Sequence, residues 1–123
     1  MSLDELTAPP ADRSTSRFPA GCSSRTVLTH VTSKWGVLVL LSLEQRSLRW
    51  GELRREIEGI SEKMLAATLK TLEADGIVHR EAQGTIPPRV DYSLTPRGLD
   101  LARHLVPLMD WIFDNADDIV AGR

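Results

Sequence analysis

Between Ser61 and Lys70 the chain sets out two ammonium groups, two hydroxyls and a small methyl: Ser61, Lys63, Ala67, Thr68 and Lys70. On a helix, positions 63, 67 and 70 stand above one another, because residues three and four apart share a face. Ammonium groups so placed can pair with phosphates or guanine acceptors. Ser61 and Thr68 can hydrogen-bond to phosphate or a base edge, and the Ala67 methyl suits a thymine methyl. Arg54 and Arg55 precede this segment, and Arg89 follows the stiff pair Pro87-Pro88. Each cation has a plainer alternative: lysines and arginines commonly solvate exposed helix faces, and Arg89 can pair with Asp91 two residues on. The remaining reactive group is the thiol of Cys22, the single Cys among 123 residues. It stands where a helix is expected to begin, with Arg25 three residues on, and both features favour a thiolate. A free Cys is among the most buried residue types and often just a small apolar side chain, so the residue by itself favours the inert reading.

Other chemistries are absent from the sequence. One Cys makes no intrachain disulfide, and His30, His79 and His104 are too scattered for a metal site, so no metal or other cofactor is expected. No Ser/His/Asp order, paired carboxylates or Gly-rich phosphate loop stands out, and an enzyme is not expected.

The elements that must position these groups follow from periodicity. Leu65, Leu69 and Leu72 fit one helical stripe, Ser61 can cap its start and Gly76 can end it, leaving Ser61, Lys63, Ala67 and Lys70 on the other side. A short helix over 51–57 with Leu53 and Ile57 inward leads into it through the Glu58-Gly59-Ile60 turn. Strand-like alternation over 77–80 and 90–94 flanks the turn 83–89. Upstream, Val27, Leu28 and Val31 fit a short helix over 23–32, and Ser33 can cap the next one through Trp35 to Leu43, a stretch that reads less well as a buried strand. Leu48-Arg49-Trp50 suits a short strand. Residues 1–20 mix Pro, Ser, Thr and charge without periodicity and read as a mobile arm, with one domain over 21–123. The predicted fold class is mainly α with a small β wing, a winged helix-turn-helix with a long C-terminal dimerisation helix.

That last helix opens at Thr95-Pro96, a cap followed by Pro at its first position. From Leu99 to Ile119 its apolar stripe is longer than a small core can cover, so a second copy of the chain is the expected cover. Pro107 is expected to kink it. Trp35, Trp50 and Trp111 all lie in apolar stretches and are expected to pack in the core or between copies.

The net charge of −2, from 15 basic and 17 acidic side chains, excludes a protein that coats nucleic acid indiscriminately. Charge is unevenly spread: residues 49–97 balance eight basic with eight acidic side chains, whereas 99–123 carry two against five. No run approaches the roughly 20 apolar residues of a membrane span, and the N-terminus lacks the order of a secretion signal, so no membrane partner and a cytoplasmic location are expected.

Taken in order, Cys22, Lys34-Trp35, Gly51-Glu52-Leu53-Arg54-Arg55, Gly59-Ile60-Ser61-Glu62-Lys63-Met64-Leu65, Leu72-Glu73-Ala74-Asp75-Gly76 and Pro87 to Thr95 resemble the HxlR-type branch of the MarR-like winged-helix regulators. The resemblance covers about residues 20–115. It departs from the family pattern at Cys22-Ser23, where Cys-Pro is usual, and at Thr32-Ser33, where a Gly pair is usual. The resemblance implies a homodimer on palindromic double-stranded operator DNA, with Cys22 at the position where several members sense oxidants or electrophiles such as quinones or aldehydes. With one Cys, oxidation would join the Cys22 residues of two subunits or give a mixed disulfide or sulfenic acid. The expected DNA-contacting set is Arg54, Arg55, Ser61, Lys63, Ala67, Thr68, Lys70 and Arg89. The alternative reading is a winged-helix protein-interaction module without sequence-specific DNA binding.

Overall fold

The computed structural model describes residues 16–123, so most of the expected N-terminal arm lies outside the described residues. Among the described residues, five helices and a three-stranded antiparallel sheet follow in the order α1 (Ser23–Thr32), α2 (Lys34–Leu43), β1 (Leu48–Arg49), α3 (Trp50–Glu56), α4 (Glu62–Ala74), β2 (Val78–Gln83), β3 (Arg89–Leu94) and α5 (Pro96–Val120). This is a winged helix-turn-helix, as the pattern predicts.

The core is assembled from one stripe of each helix and one face of the sheet. Val39 and Leu40 of α2, Leu53 of α3 and Leu65 and Leu72 of α4 are fully buried, with Leu48 and Tyr92 joining from the sheet. The stretch from Val37 to Leu41 is therefore a helix and not a strand, and Ser33 caps it by accepting from the Gly36 N–H at 3.0 Å. Of the apolar residues of α1 only Val31 is buried. Val27 and Leu28 face solvent, which the periodicity alone does not tell. His30 at the far end of α1 hydrogen-bonds Asp75, at the end of α4, at 2.7 Å.

The sheet order is β1-β3-β2, and the register sets Arg49 opposite Asp91 and Gln83 opposite Arg89. Strand β2 runs three residues beyond the expected Arg80, because the ladder holds Glu81, Ala82 and Gln83 against β3. The turn shrinks to residues 84–88.

One polar junction fixes α5 relative to α4. Thr95 caps α5 by accepting from the Gly98 N–H at 3.1 Å, and its hydroxyl donates to the carbonyl of Gly76 at 2.6 Å. Gly98 lies directly over the Ile77 carbonyl, where a Cβ would collide with the backbone. Helix α5 then continues without interruption through Pro107 to Val120. Its 25 residues span about 37 Å at 1.5 Å each. Only Gly98, Ala102 and Leu105 are buried, all in its first half.

Candidate nucleic-acid interface

Helix α4 owes its exposed face to the burial of the opposite one. Leu65, Leu69 and Leu72 anchor it, so the sequence-predicted Lys63, Ala67 and Lys70 are left in solvent along one line. Neither lysine makes an ion pair within the described residues, so both ammonium groups are available to an anion. Ser61 caps the helix, its Oγ accepting from the Met64 N–H at 3.0 Å. The hydroxyl proton remains free to donate. Thr68 differs from its neighbours: it is half-buried beside the apolar stripe, so it sits at the margin of the exposed face.

Arg54 and Arg55 are both exposed on the last turn of α3. Arg54 Nη1 meets Glu62 Oε1 at 3.3 Å, tying α3 to the first turn of α4 across the Gly59 turn, whose φ of 91° only glycine adopts readily. The pair is exposed and easily exchanged, so a phosphate can compete with Glu62 for the guanidinium.

Arg89 stands at the base of the wing, and its Nε meets Asp91 Oδ1 at 3.2 Å. The pairing that the sequence offered as an alternative to a free cation is thus present. Asp91 also accepts from Gln83 Nε2 at 3.0 Å, so one carboxylate holds both strands where the wing begins. Beyond it Gly84, Thr85, Ile86, Pro87 and Pro88 are exposed, and the Thr85 hydroxyl donates to the Pro87 carbonyl at 2.9 Å.

Cys22 is half-exposed and occupies the N-cap of α1, with the Arg25 N–H bonded to its carbonyl at 3.0 Å. The polar surroundings at the helix start, Ser24 first through its side chain and N–H and then Arg25 through its N–H and charge, hold the thiol pKa below the ordinary value against a smaller opposing effect of burial. The sequence identified the helix start and Arg25, but not Ser24.

Sequence reasoning did not place Arg49 beside the wing. It lies in a two-residue strand whose neighbour in space is β3, some 40 positions later, and only the sheet register brings it beside the wing. Among the described residues no cluster of His, Cys, Asp or Glu could hold a metal ion, and no single helix is long and apolar enough to cross a membrane.

The chain is similar to known proteins along most of its length. The HxlR-like helix-turn-helix family matches residues 30–119. The HTH-type transcriptional regulator YtfH of Escherichia coli K12, itself uncharacterised, is 48% identical over 106 residues, covering 86% of this chain and 84% of its own. A solved structure described as the transcriptional regulator ytfH from Salmonella typhimurium superposes with a TM-score of 0.80 at 46% identity, over 85% of this chain and 94% of its own. The redox regulator HypR in its oxidized form superposes with a TM-score of 0.71 at 35% identity, over 76% and 97%.

Proposed function

The chain belongs to the HxlR-like helix-turn-helix family of transcriptional regulators, and on that premise we propose that it acts as a homodimer whose α4 helices read two half-sites of one operator. The observation that carries this reading is α4 itself: capped, anchored by three buried leucines, and presenting Lys63, Ala67 and Lys70 to solvent along a single line. A major groove about 12 Å wide admits one such helix. Lys63, near the N-terminus of α4, would reach base edges or phosphate first. Ala67 would meet a thymine methyl, and Lys70, with Ser61 and Thr68, would bond to backbone or base. Arg54 and Arg55 would meet the flanking phosphates, with Arg54 exchanging Glu62 for the DNA. Arg89 would accompany the wing to the minor groove, where A·T-rich sequence deepens the negative potential.

The uncovered half of α5 supports the dimer. Trp111 and Phe113 are 57% and 69% exposed, and Leu108, Ile112 and Ile119 stand clear of the chain's own core. Two such helices packed about a two-fold axis would cover each other and hold two α4 helices about one turn of DNA apart, or a multiple of it. Cys22 would serve as the sensing group for an oxidant or electrophile. Its support is the lowered thiol pKa, its partial exposure and the likeness to a redox regulator.

The test is binding of the purified chain to duplexes selected from a random pool. A palindromic sequence should be enriched, and Lys63→Ala should weaken binding to it and lower the slope of log affinity against log salt by about one. Equal affinity of the variant and the parent across the salt series would remove Lys63 from the interface.

A further inference from the structure

Arg49 has no part in the reading above, yet it borders an open cleft. The register sets it opposite Asp91, and Arg89 lies two residues from Asp91 on β3, so Arg49 and Arg89 rise from one face of the sheet. Between them lies a hollow of about 520 Å³, walled by the wing from Thr85 to Val90 on one side and by Arg49, Trp50 and Gly51 on the other. Two guanidinium groups line it, each in an exposed pair that a phosphate can exchange: Arg49 Nε lies 3.8 Å from Glu52 Oε1 and Arg89 Nε 3.2 Å from Asp91 Oδ1. A second hollow of about 790 Å³ shares Trp50 and Gly51 with the first and extends along Arg54 and Arg55, with Glu58 and Glu62 also in its wall. Together they form a trough from the wing to the first turn of α4.

Gly51, common to both hollows, provides an independent observation. It lies in the first turn of α3 without a positive φ. A Cβ there would meet nothing closer than Arg55 Nη1 at 3.6 Å, an ordinary contact. The fold therefore does not require glycine here, and glycine is a poorer helix former than alanine. An absent side chain does allow another molecule to approach the backbone closely.

We propose that this trough seats the sugar–phosphate strand lying between the major groove entered by α4 and the minor groove flanked by the wing. Arg49 and Arg89 hold its phosphates, and Gly51 leaves room for the strand to pass. The inference rests on the DNA-binding reading above and adds to it a phosphodiester site with two further residues, Arg49 and Gly51. The polyanionic strand matches a trough wall that carries four guanidinium groups, Arg49, Arg54, Arg55 and Arg89, against the two carboxylates of Glu58 and Glu62. Contacts of this kind position the protein without reading sequence, so their loss weakens every duplex alike.

Fluorescence anisotropy of the full chain across a salt series, on one duplex selected from the random pool and on its scrambled counterpart, tests this. Arg49→Ala should lower the salt slope by about 0.9, one phosphate's worth of counterion, on both duplexes. Gly51→Glu should weaken both by about tenfold or more at low salt, where a carboxylate set against a phosphate is least screened. Gly51→Ala should unfold at or above the parent's temperature, and unfolding well below it would overturn the argument that the fold has no need of this glycine. If Arg49→Ala and Gly51→Glu bind like the parent while Lys63→Ala is weakened, the trough is wrong and the α4 reading stands. If the parent binds no selected duplex, both readings fall.

Discussion

At the scale of single residues, charge in this interface is held in reserve. Glu62 occupies Arg54 and Asp91 occupies Arg89, whereas Lys63 and Lys70 stand free of ion pairs within the described residues. The lysines can therefore engage DNA without first breaking a contact, and the arginines exchange one anion for another. Cys22 makes a separate prediction. Because Ser24 contributes most to lowering the thiol pKa, the rate of alkylation by iodoacetamide should stay high to a lower pH than for an ordinary cysteine. Ser24→Ala should move the profile upward, toward the ordinary thiol value. An unmoved profile would mean that Ser24 does not tune the thiol. Cys22→Ser should keep DNA binding and lose any response to diamide or quinones, and release of that variant by oxidant would end the sensing proposal. The exposure of Lys63 and Lys70 and the place of Cys22 at a helix start were legible in the sequence because they depend on local spacing. Ser24 was overlooked beside Arg25, and the Arg54–Glu62 pair needed the tertiary turn at Gly59 to become visible.

At the scale of elements, α4 and its junction with α5 carry the account. Ser61→Ala should cost about 1 kcal/mol by leaving the Met64 N–H without its cap, measured by denaturant unfolding. Gly98→Ala should cost more, about 1–3 kcal/mol, since the added methyl meets the Ile77 carbonyl and neither backbone can yield freely. A Gly98→Ala variant as stable as the parent would show that the junction is looser than its geometry implies. Helices α1 to α4 were readable because capping residues and apolar spacing agree along short stretches, as at Ser33 and Ser61. The length of β2 was not, because Glu81, Ala82 and Gln83 have no strand-like alternation and are held only by their ladder partners on β3. The exposure of Val27 and Leu28 was hidden for a related reason: helical spacing identifies a face but not what the face meets.

For the whole molecule, the decisive feature is that α5 outruns the core beneath it. About 15 residues beyond Leu105, or some 22 Å of helix, contain no buried side chain. The proposed dimer covers this stretch. Phe113→Asp would place a charge in that interface and should convert a dimer to a monomer in sedimentation equilibrium, with loss of operator affinity but retention of the monomer's helical content. A variant that stays dimeric would move the interface elsewhere. The length of the stripe was plain in the sequence, and the structure adds where the core stops. Hydroxyl-radical footprinting of the selected duplex, bound by the parent chain, tests the central claim most directly. The account predicts two equivalent protected segments on one face of the DNA, about one helical turn apart or a multiple of it. A single protected segment, or uniform protection without two-fold symmetry, would contradict it.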